Sequence, residues 1–357
     1  MACDYAHRRD VRRKRRLRCI RPNVWNLCTS RTRRAEYSFS ELTPDDRAVL
    51  WGFVIMAAKR YGVALAHIVV MSNHLHCLVR AARPKAISLF HGYFKARFAK
   101  YINEKHGRTG NIWAGRFHNV NLLDDEAQIG ALSYGIDHGM KEDLVARADA
   151  WHLPQVLNEL CTDGWLRGRF WVSAKADGHW RALSLRLTPL DRWADDSAGY
   201  RAFVKRLLED RVAYHAERRH QEQHRHRAAV AAAKRANRDP ATVTLPDGSL
   251  HRIIRQHDYI PTRAKRSRAR RFKALGPMGH LLVDQAEAAH IEAIETYERV
   301  LAQVAGGAFV PVPELPEGYQ WPGVLGAAFG EGIIEQTFAE ILSGAPRVDP
   351  IPDAASG

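Results

Sequence analysis

The stretch that decides the fold is Val69–Val79, which reads VVMSNHLHCLV. Apolar and β-branched residues lie on both sides of Ser72-Asn73, which predicts two strands with a tight turn between them. Side chains alternate between the faces of a strand, so His74 and His76 project to one side while Leu75 turns towards the core. Two neutral imidazoles presented together are suitable ligands for a divalent cation, although such a pair alone also fits a structural role.

Signals on both sides of this hairpin extend the pattern of strands and helices. Thr43, followed by Pro44 and two aspartates, predicts a helix N-terminus, and Gly62 predicts its end. The predicted elements are strands at Val24–Ser30 and Ala35–Phe39, and helices at Pro44–Tyr61, at Ile87–Glu104 and from Asp124 to about His138, with Gly139 as the last helix's C-cap. Together they predict an α+β fold in which helices pack on an antiparallel sheet.

Beyond Trp151 the pattern changes to a mostly helical, basic accessory region. A hairpin is predicted at Phe170–Leu187 with its turn at Asp177-Gly178, followed by a long basic helix at Ala198–Arg238, a basic cluster at Lys265–Lys273 and a helix at Ala286–Val304. We therefore divide the chain into a basic arm (1–22), an α+β domain (23–155), an accessory region (156–240), and a basic linker, helix and acidic Pro/Gly-rich tail (241–357).

The charge balance predicts a polyanionic partner. The 357 residues carry 54 Lys and Arg against 39 Asp and Glu, a formal net charge of +15. Nucleic acid is the first candidate for such a basic protein. No apolar run approaches the ~20 residues of a membrane span, and the five cysteines form no CxxC pair. These features predict a cytoplasmic, nucleoid-associated protein without a membrane partner.

A second group of functional candidates lies on the helix that Asp124 begins. Tyr134 and His138 are four residues apart, which places them on one helical face. A tyrosine one turn from a ligand can lie beside a metal held by another element, although a tyrosine packed by its ring is the alternative. The candidates for DNA contact are the phosphate-binding residues Lys95, Arg97, Lys100, Arg108 and Arg116, and Trp113, which can stack on an unpaired base or belong to the core.

Taken together, three ordered motifs resemble the HUH single-tyrosine transposases, which include insertion-sequence and REP-associated tyrosine transposases of bacteria. Val69–Val79 resembles their signature strand. Gly110–Phe117, GNIWAGRF, is similar to the family's G-x-[LI]-W-x-x-R-[FY] stretch. Tyr134–Val145, YGIDHGMKEDLV, aligns without gaps on Y-I-x-x-N-P-V-R-x-G-L-V. The resemblance covers roughly residues 23–155 and implies an HUH nuclease domain with a ferredoxin- or RRM-like core.

The resemblance also implies a chemistry for the site. His74 and His76 would hold a divalent metal, Mg²⁺ or Mn²⁺, and Tyr134 would attack a DNA phosphodiester to leave a 5′-phosphotyrosine and a free 3′-OH. His138 stands where the family has an amide ligand, and Gly139 where it has proline. Three imidazoles form a softer site than two imidazoles and an amide oxygen, so we expect a stronger preference for Mn²⁺ over Mg²⁺ than in relatives.

The sequence leaves three functions open. The first is a transposase that nicks and rejoins single-stranded DNA or hairpin ends with a tyrosine nucleophile. The second is a domesticated DNA-binding protein of the same fold without cleavage. The third is a metal-dependent phosphodiesterase that uses activated water, with Tyr134 in a structural role. Both a monomer and a homodimer are compatible with the sequence.

Overall fold

A five-stranded sheet lies in the larger of the two units into which the chain divides. The computed structural model describes residues 18–172, 179–236, 271–305, 315–317 and 319. Described residues from Ile20 to Glu287 form the larger unit, and those outside this range form the smaller one. In the described part of the chain, no helix has both the length and the apolar character needed to cross a lipid bilayer.

The large sheet is mainly antiparallel. The strands along the described chain are β1 (Trp25–Arg31), β2 (Val63–Met71), β3 (His74–Ala81), β4 (His118–Leu122), β5 (Trp165–Val172), β6 (His179–Arg186) and β7 (Phe272–Lys273). The strand order is β2-β3-β1-β4-β7, and β7 at one edge runs parallel to β4 while the other pairs are antiparallel. The helices are α1 (Pro44–Tyr61), α2 (Pro84–Lys105), α3 (Asp125–Lys141), α4 (Leu157–Cys161), α5 (Ser197–Arg235) and α6 (Gly279–Ala305). The predicted α+β fold is confirmed.

The hairpin predicted around Ser72-Asn73 is formed by β2 and β3, in a register that pairs Val69 with His76. Strand β3 lies between β2 and β1, so both of its edges are hydrogen-bonded. Leu75 is buried in the main hydrophobic core, as the alternation of side chains predicted. The two histidines of β3 therefore stand on a central strand that is fixed on both sides.

Helix α1 has the predicted bounds because its ends are well specified. Thr43 and Asp46 form a reciprocal capping box, in which each side chain accepts a hydrogen bond from the other's backbone N–H. Pro44 occupies the first helical position, and Gly62 ends the helix with a left-handed φ of 64°. Such local signals act within one turn, so they can be read from sequence alone.

Helix α2 buries one apolar stripe and is tied to the start of α1. The stripe consists of Phe90, Phe94, Phe98 and Ile102, and all four are buried in the core. Tyr101 donates a 2.7 Å hydrogen bond to the Asp46 carboxylate, and Lys105 forms a 2.6 Å ion pair with it. The predicted helix Ile87–Glu104 is confirmed, with one turn more at its N-terminus.

Two predictions at the edges of elements are wrong. Ala35–Phe39 is not a strand, because the chain makes a short 3₁₀ turn at Arg33–Ala35 and then bends. The Thr32 hydroxyl, which donates to the Glu36 carbonyl at 2.6 Å, closes this segment on itself. Gly139 is not a C-cap, since α3 continues through it to Lys141.

Close packing of side chains against α3 explains why residue 139 is a glycine. A Cβ at this position would lie 3.0 Å from the Val145 side chain and 3.1 Å from the Trp151 indole. A glycine inside α3 therefore allows Trp151 to approach the helix closely. The indole also donates a 2.8 Å hydrogen bond to the Val70 carbonyl in β2, so the same residue contacts both the sheet and the helix.

The accessory region packs on the domain that carries the sheet. Strands β5 and β6 form a separate two-stranded ribbon at the predicted hairpin, and α5 confirms the predicted long helix. The ribbon approaches α1 so closely that a Cβ at Gly168 would lie 2.4 Å from the Gly52 nitrogen. Helix α6 contains the predicted helix Ala286–Val304 but begins seven residues earlier, at Gly279. The predicted turn at Asp177-Gly178, most of the basic arm, the basic cluster before Arg271 and most of the C-terminal tail lie outside the described residues.

Candidate active site

The two histidines of β3 are oriented by hydrogen bonds on their Nδ1 atoms. Thr29, the residue opposite His76 on β1, places its hydroxyl 2.9 Å from His76 Nδ1. Asn73 Oδ1 lies 2.6 Å from His74 Nδ1. An amide oxygen can only accept, so Nδ1 of His74 carries the proton and Nε2 presents a lone pair. Such outer partners fix the tautomer and ring orientation of metal-binding histidines.

His138 of α3 completes a group of three imidazoles. Its Nε2 lies 2.8 Å from His74 Nε2, and the candidate ligand atoms of the three rings all lie within 4.8 Å of one another. The ring centroids of His74, His76 and His138 form a triangle with sides of 4.9 Å. The structure thus brings together the three residues that the sequence predicted as metal ligands.

Tyr134 lies beside this triad. Its ring centroid is 5.2 Å from that of His76 and 5.1 Å from that of His138, both in edge-to-face contact. The Lys141 ammonium lies 5.2 Å from the same ring. The phenol on a helix and the imidazoles on a strand therefore share one site, as the sequence predicted.

Burial sets the protonation of the triad. It lowers the pKa of His74 to about 3 and that of His138 to about 4, and it also holds the pKa of His76 well below its ordinary value. Nearby cations, including Arg31, act in the same direction. All three rings are accordingly neutral at physiological pH, which is the form that binds a metal.

The residues present fit a divalent cation. His76 Nε2 is buried without a hydrogen-bond partner, and a buried polar atom without a partner carries a desolvation penalty. Neutral nitrogen donors that converge from two elements relieve that penalty when they share a cation. His74, His76 and His138 could hold the ion, while their outer partners Thr29 and Asn73 keep the rings in place.

The Tyr134 phenol is protonated at neutral pH. Burial raises its pKa above the ordinary value of 10.0, and the Glu142 carboxylate adds to the shift, whereas Arg31 opposes it. A phenol in this state is a weak nucleophile, because the phenolate is the reactive form. Activation of Tyr134 therefore requires positive charge or proton removal at the site.

Sequence reasoning missed His67, which determines how closely α3 approaches the sheet. Its ring lies on β2, fully buried, and a Cβ at Gly135 would lie 2.6 Å from two of its atoms. Burial lowers the pKa of His67 to about 4, so the ring is neutral. The signal that could have found this contact is Gly135, a glycine in the middle of α3 directly after Tyr134.

The accessory helix α5 holds the outer side of α3. Arg211 binds the Asp137 carboxylate through two hydrogen bonds of 2.8 and 2.6 Å, and His215 lies 3.4 Å from the same group. Arg218 pairs with Asp143 and also donates to the carbonyls at the C-terminus of α3. These long-range contacts were not predicted. They fix Asp137, the residue next to His138, to α5.

The predicted DNA-contact residues divide into exposed and engaged groups. Arg97, Lys100, Arg108 and Arg116 are exposed, as expected of phosphate contacts. Lys95 is buried instead, and its ammonium donates a 2.9 Å hydrogen bond to the Gly115 carbonyl. The Trp113 indole donates to the Lys95 carbonyl and its ring packs 5.2 Å from Phe39. These contacts of Lys95 and Trp113 hold the segment Gly110–Phe117 against α2.

The loop in question, Gly110–Phe117, lies beside the site. Ala114 donates a 2.9 Å hydrogen bond to the Arg31 carbonyl, and Arg31 is the residue paired with His74 across the sheet. Arg33 in turn donates to the Ile112 carbonyl at 2.7 Å. Two of the three motifs recognised in the sequence are thus adjacent in space.

The sequence of the sheet domain matches a known family. Residues 23–128 match the IS200-like transposases. The match confirms the resemblance drawn from the sequence motifs, and it includes His74 and His76. It ends six residues before Tyr134, so the positions of Tyr134 and His138 are supported by the structure and by their own motif.

Two solved structures resemble the chain more loosely. One is a REP-associated tyrosine transposase bound to a REP hairpin, which is 17% identical to this chain. The aligned residues cover 45% of this chain and 92% of the transposase chain, with a TM-score of 0.34. The other is a candidate transposase from Deinococcus radiodurans, which is also 17% identical. The aligned residues cover 31% of this chain and 87% of that chain, with a TM-score of 0.24. Scores this low support no conclusion about function. No curated protein matches the chain significantly.

Proposed function

We propose that this protein is a transposase that cleaves and rejoins single-stranded DNA through a covalent bond to Tyr134. The observation that carries the proposal is the convergence of His74, His76 and His138, with ligand atoms within 4.8 Å, beside the Tyr134 ring. The match of residues 23–128 to IS200-like transposases supports the same chemistry.

In the proposed reaction, Tyr134 Oη forms a bond to the scissile phosphorus and the bond from phosphorus to the 3′-oxygen breaks. The phenol gives up its proton to solvent, and the departing 3′-oxygen takes one up, so the step needs no other reactant. His74, His76 and His138 would hold a divalent cation, which would supply Lewis-acid stabilisation of the phosphate charge. Attack by a 3′-OH on the phosphotyrosine reverses the step and joins the strands.

Several residues prepare the site for this step. The histidines remain neutral, and Thr29 and Asn73 orient two of them. Helix α3 holds Tyr134 at a fixed distance from the triad because His67 and α5 contact it from two sides. A nucleophile held in a fixed position loses less entropy on reaching the transition state, and this proximity effect contributes to catalysis.

The DNA is expected to be unpaired at the cleavage point, with a hairpin nearby, as the family resemblance implies. Exposed Arg97, Lys100, Arg108 and Arg116 are suited to phosphate contacts, which set register without reading bases. The net charge of +15 predicts affinity that falls steeply with added salt.

The test is a covalent adduct. The full chain is incubated with Mn²⁺ and a pool of hairpin oligonucleotides with randomised single-stranded flanks, and an SDS gel detects protein linked to DNA. We expect the adduct with the unaltered chain and with Tyr214→Phe, which removes an exposed phenol on α5. We expect none with Tyr134→Phe or in EDTA.

The other results distinguish the alternatives. Binding without any nick would favour a DNA-binding protein that has lost cleavage. Nicking that survives in Tyr134→Phe would favour a phosphodiesterase that activates water at the histidine site.

A further inference from the structure

The β5–β6 ribbon presents an aromatic and basic face to solvent. Alternate residues of β5 point outward, and the register places outward residues of β6 opposite each of them. The facing pairs are Trp165 with Arg186, Arg167 with Ser184, Arg169 with Ala182 and Trp171 with Trp180. The ribbon lies beyond the residues that match the transposase family.

The opposite face of the ribbon is anchored in the core. Leu166 is fully buried, the Phe170 ring contacts Phe53 of α1 at 5.8 Å, and Gly168 lies against the α1 backbone. Leu183 and Leu185 of β6 also pack on the core. Because the inner face fixes the register, the outward direction of the tryptophans is set by the fold.

Three indoles are left in water on the outer face. Trp165, Trp171 and Trp180 are 39, 46 and 44% exposed. Trp171 and Trp180 form a cross-strand pair with ring centroids 5.3 Å apart, and the Arg169 guanidinium lies 4.6 Å from the Trp180 ring. Exposed large apolar side chains that cluster in this way mark interaction sites.

The positive charge of this face favours an anionic partner. Three arginines and no carboxylate point outward from the described residues of the two strands. The acids that pair with them come from outside the ribbon: Asp163 pairs with Arg167, and Asp45 with Arg169 at 3.3 Å. The Asp163–Arg167 pair is exposed and Arg169 is half-buried, so a phosphate can compete most readily for the Arg167 guanidinium.

We infer that the outer face of the β5–β6 ribbon binds a segment of single-stranded DNA, whose bases stack on Trp165, Trp171 and Trp180 while its phosphates contact the arginines. Trp165 and Trp171 are six residues apart on one strand, a span of roughly 20 Å. That length matches about six stacked nucleotides at ~3.4 Å each. Stacking on indoles tolerates any base, so we expect little sequence preference.

This inference does not rest on Tyr134 or on the histidine site, because binding at the ribbon needs neither metal nor cleavage. The test therefore uses the full chain with Tyr134→Phe in EDTA and a fluorescein-labelled dT12 that forms no hairpin. Anisotropy gives the affinity, and the quenching of tryptophan fluorescence reports stacking.

We expect the double substitution Trp171→Ala with Trp180→Ala to weaken dT12 binding about ten-fold or more. The pair Trp171→Phe with Trp180→Phe should restore most of the affinity, since phenyl rings still stack. Leu281→Ala, which removes an exposed apolar side chain on α6, is the matched control and should leave binding unchanged. Arg167→Gln with Arg169→Gln should reduce the dependence of affinity on salt.

Unchanged dT12 affinity in the double alanine variant, with an unaltered circular dichroism spectrum, would overturn the inference. So would a result in which that variant keeps dT12 binding but loses sedimentation with vesicles of equal phosphatidylcholine and phosphatidylglycerol. That second outcome would assign the ribbon to an anionic membrane surface. Absence of a Tyr134 adduct in the separate experiment leaves the ribbon result unaffected.

Discussion

The Nε2 atoms of His74 and His138 lie 2.8 Å apart although 64 residues separate them along the chain. One belongs to a central strand and the other to a helix that packs on that strand's face. A shift of α3 along or away from the sheet would separate them, and it would move Tyr134 by the same amount.

Thr29→Val should weaken metal binding without unfolding the domain. The substitution keeps the shape of the side chain but removes the 2.9 Å contact with His76 Nδ1. Outer partners of this kind contribute about 10–100-fold to metal affinity. Isothermal titration with Mn²⁺ measures the change, and Thr162→Val, at the exposed end of α4, is the control. Equal Mn²⁺ affinity in Thr29→Val and the unaltered chain would contradict this role.

His138→Asn should change the preferred metal. The unaltered site has three imidazole nitrogens, which favour Mn²⁺, whereas an amide oxygen brings the site closer to what Mg²⁺ prefers. We expect the ratio of nicking rates in Mn²⁺ and Mg²⁺ at equal concentration to exceed one in the unaltered chain and to fall in the variant. Equal rates with both ions in the unaltered chain would refute the expectation.

Gly135→Ala should destabilise the domain, because the new Cβ would lie 2.6 Å from the His67 ring. Overpacking of a buried contact costs about 1–3 kcal/mol in the free energy of unfolding. Urea denaturation measures it. Gly92→Ala is the matched control, since a Cβ there meets nothing within 4 Å and alanine favours the helix. Adding His67→Ala should restore part of the loss in Gly135→Ala; no restoration would show that another contact is responsible.

Arg211→Ala should loosen α3 and slow adduct formation. The substitution leaves Asp137, which is 7% exposed, without its two guanidinium hydrogen bonds. Loss of one partner from a partly buried pair costs about 1–3 kcal/mol. The adduct rate should fall together with the free energy of unfolding, while dT12 binding in EDTA is retained. Arg147→Ala, which breaks only exposed ion pairs, should change both quantities much less.

Stability in EDTA should fall as the pH drops from 6.5 towards 4. Burial lowers the pKa of both His67 and His138 to about 4, whereas the ordinary value in the unfolded chain is near 6.5. In this window the unfolded chain binds protons that the folded chain does not, which favours unfolding. The free energy of unfolding can fall by about 1.4 kcal/mol per pH unit for each of the two rings. Urea titrations at several pH values should show that the free energy of unfolding depends less on pH in His67→Asn than in the unaltered chain. An identical pH dependence in the two proteins would exclude His67 as its source.

Much of the fold follows from signals that act over a few residues. Thr43 and Gly62 gave the ends of α1, and the alternation in Val69–Val79 gave the shared face of His74 and His76. Strand β4 was missed because its asparagines disfavour strands. In the structure, buried Asn119 donates to the Asn26 side chain at 3.1 Å, a compensation that only the paired strand provides.

The candidate site was predictable only in part, for a related reason. His74, His76, Tyr134 and His138 lie within recognisable motifs. The contact between His67 and Gly135 and the pairing of Arg211 with Asp137 join residues 68 and 74 positions apart, so no local pattern carries them. Lys95 was placed on the DNA surface because its helix is basic, but the carbonyl of Gly115 holds it inside.

Peptide mapping of the protein–DNA adduct tests the central claim most directly. After reaction in Mn²⁺ and nuclease digestion, mass spectrometry of the peptides locates the attached nucleotide. We predict a 5′-phosphonucleotide on the peptide that carries Tyr134 and a free 3′-OH on the released strand. A nucleotide on another residue, or nicked DNA with no modified peptide, would contradict the account.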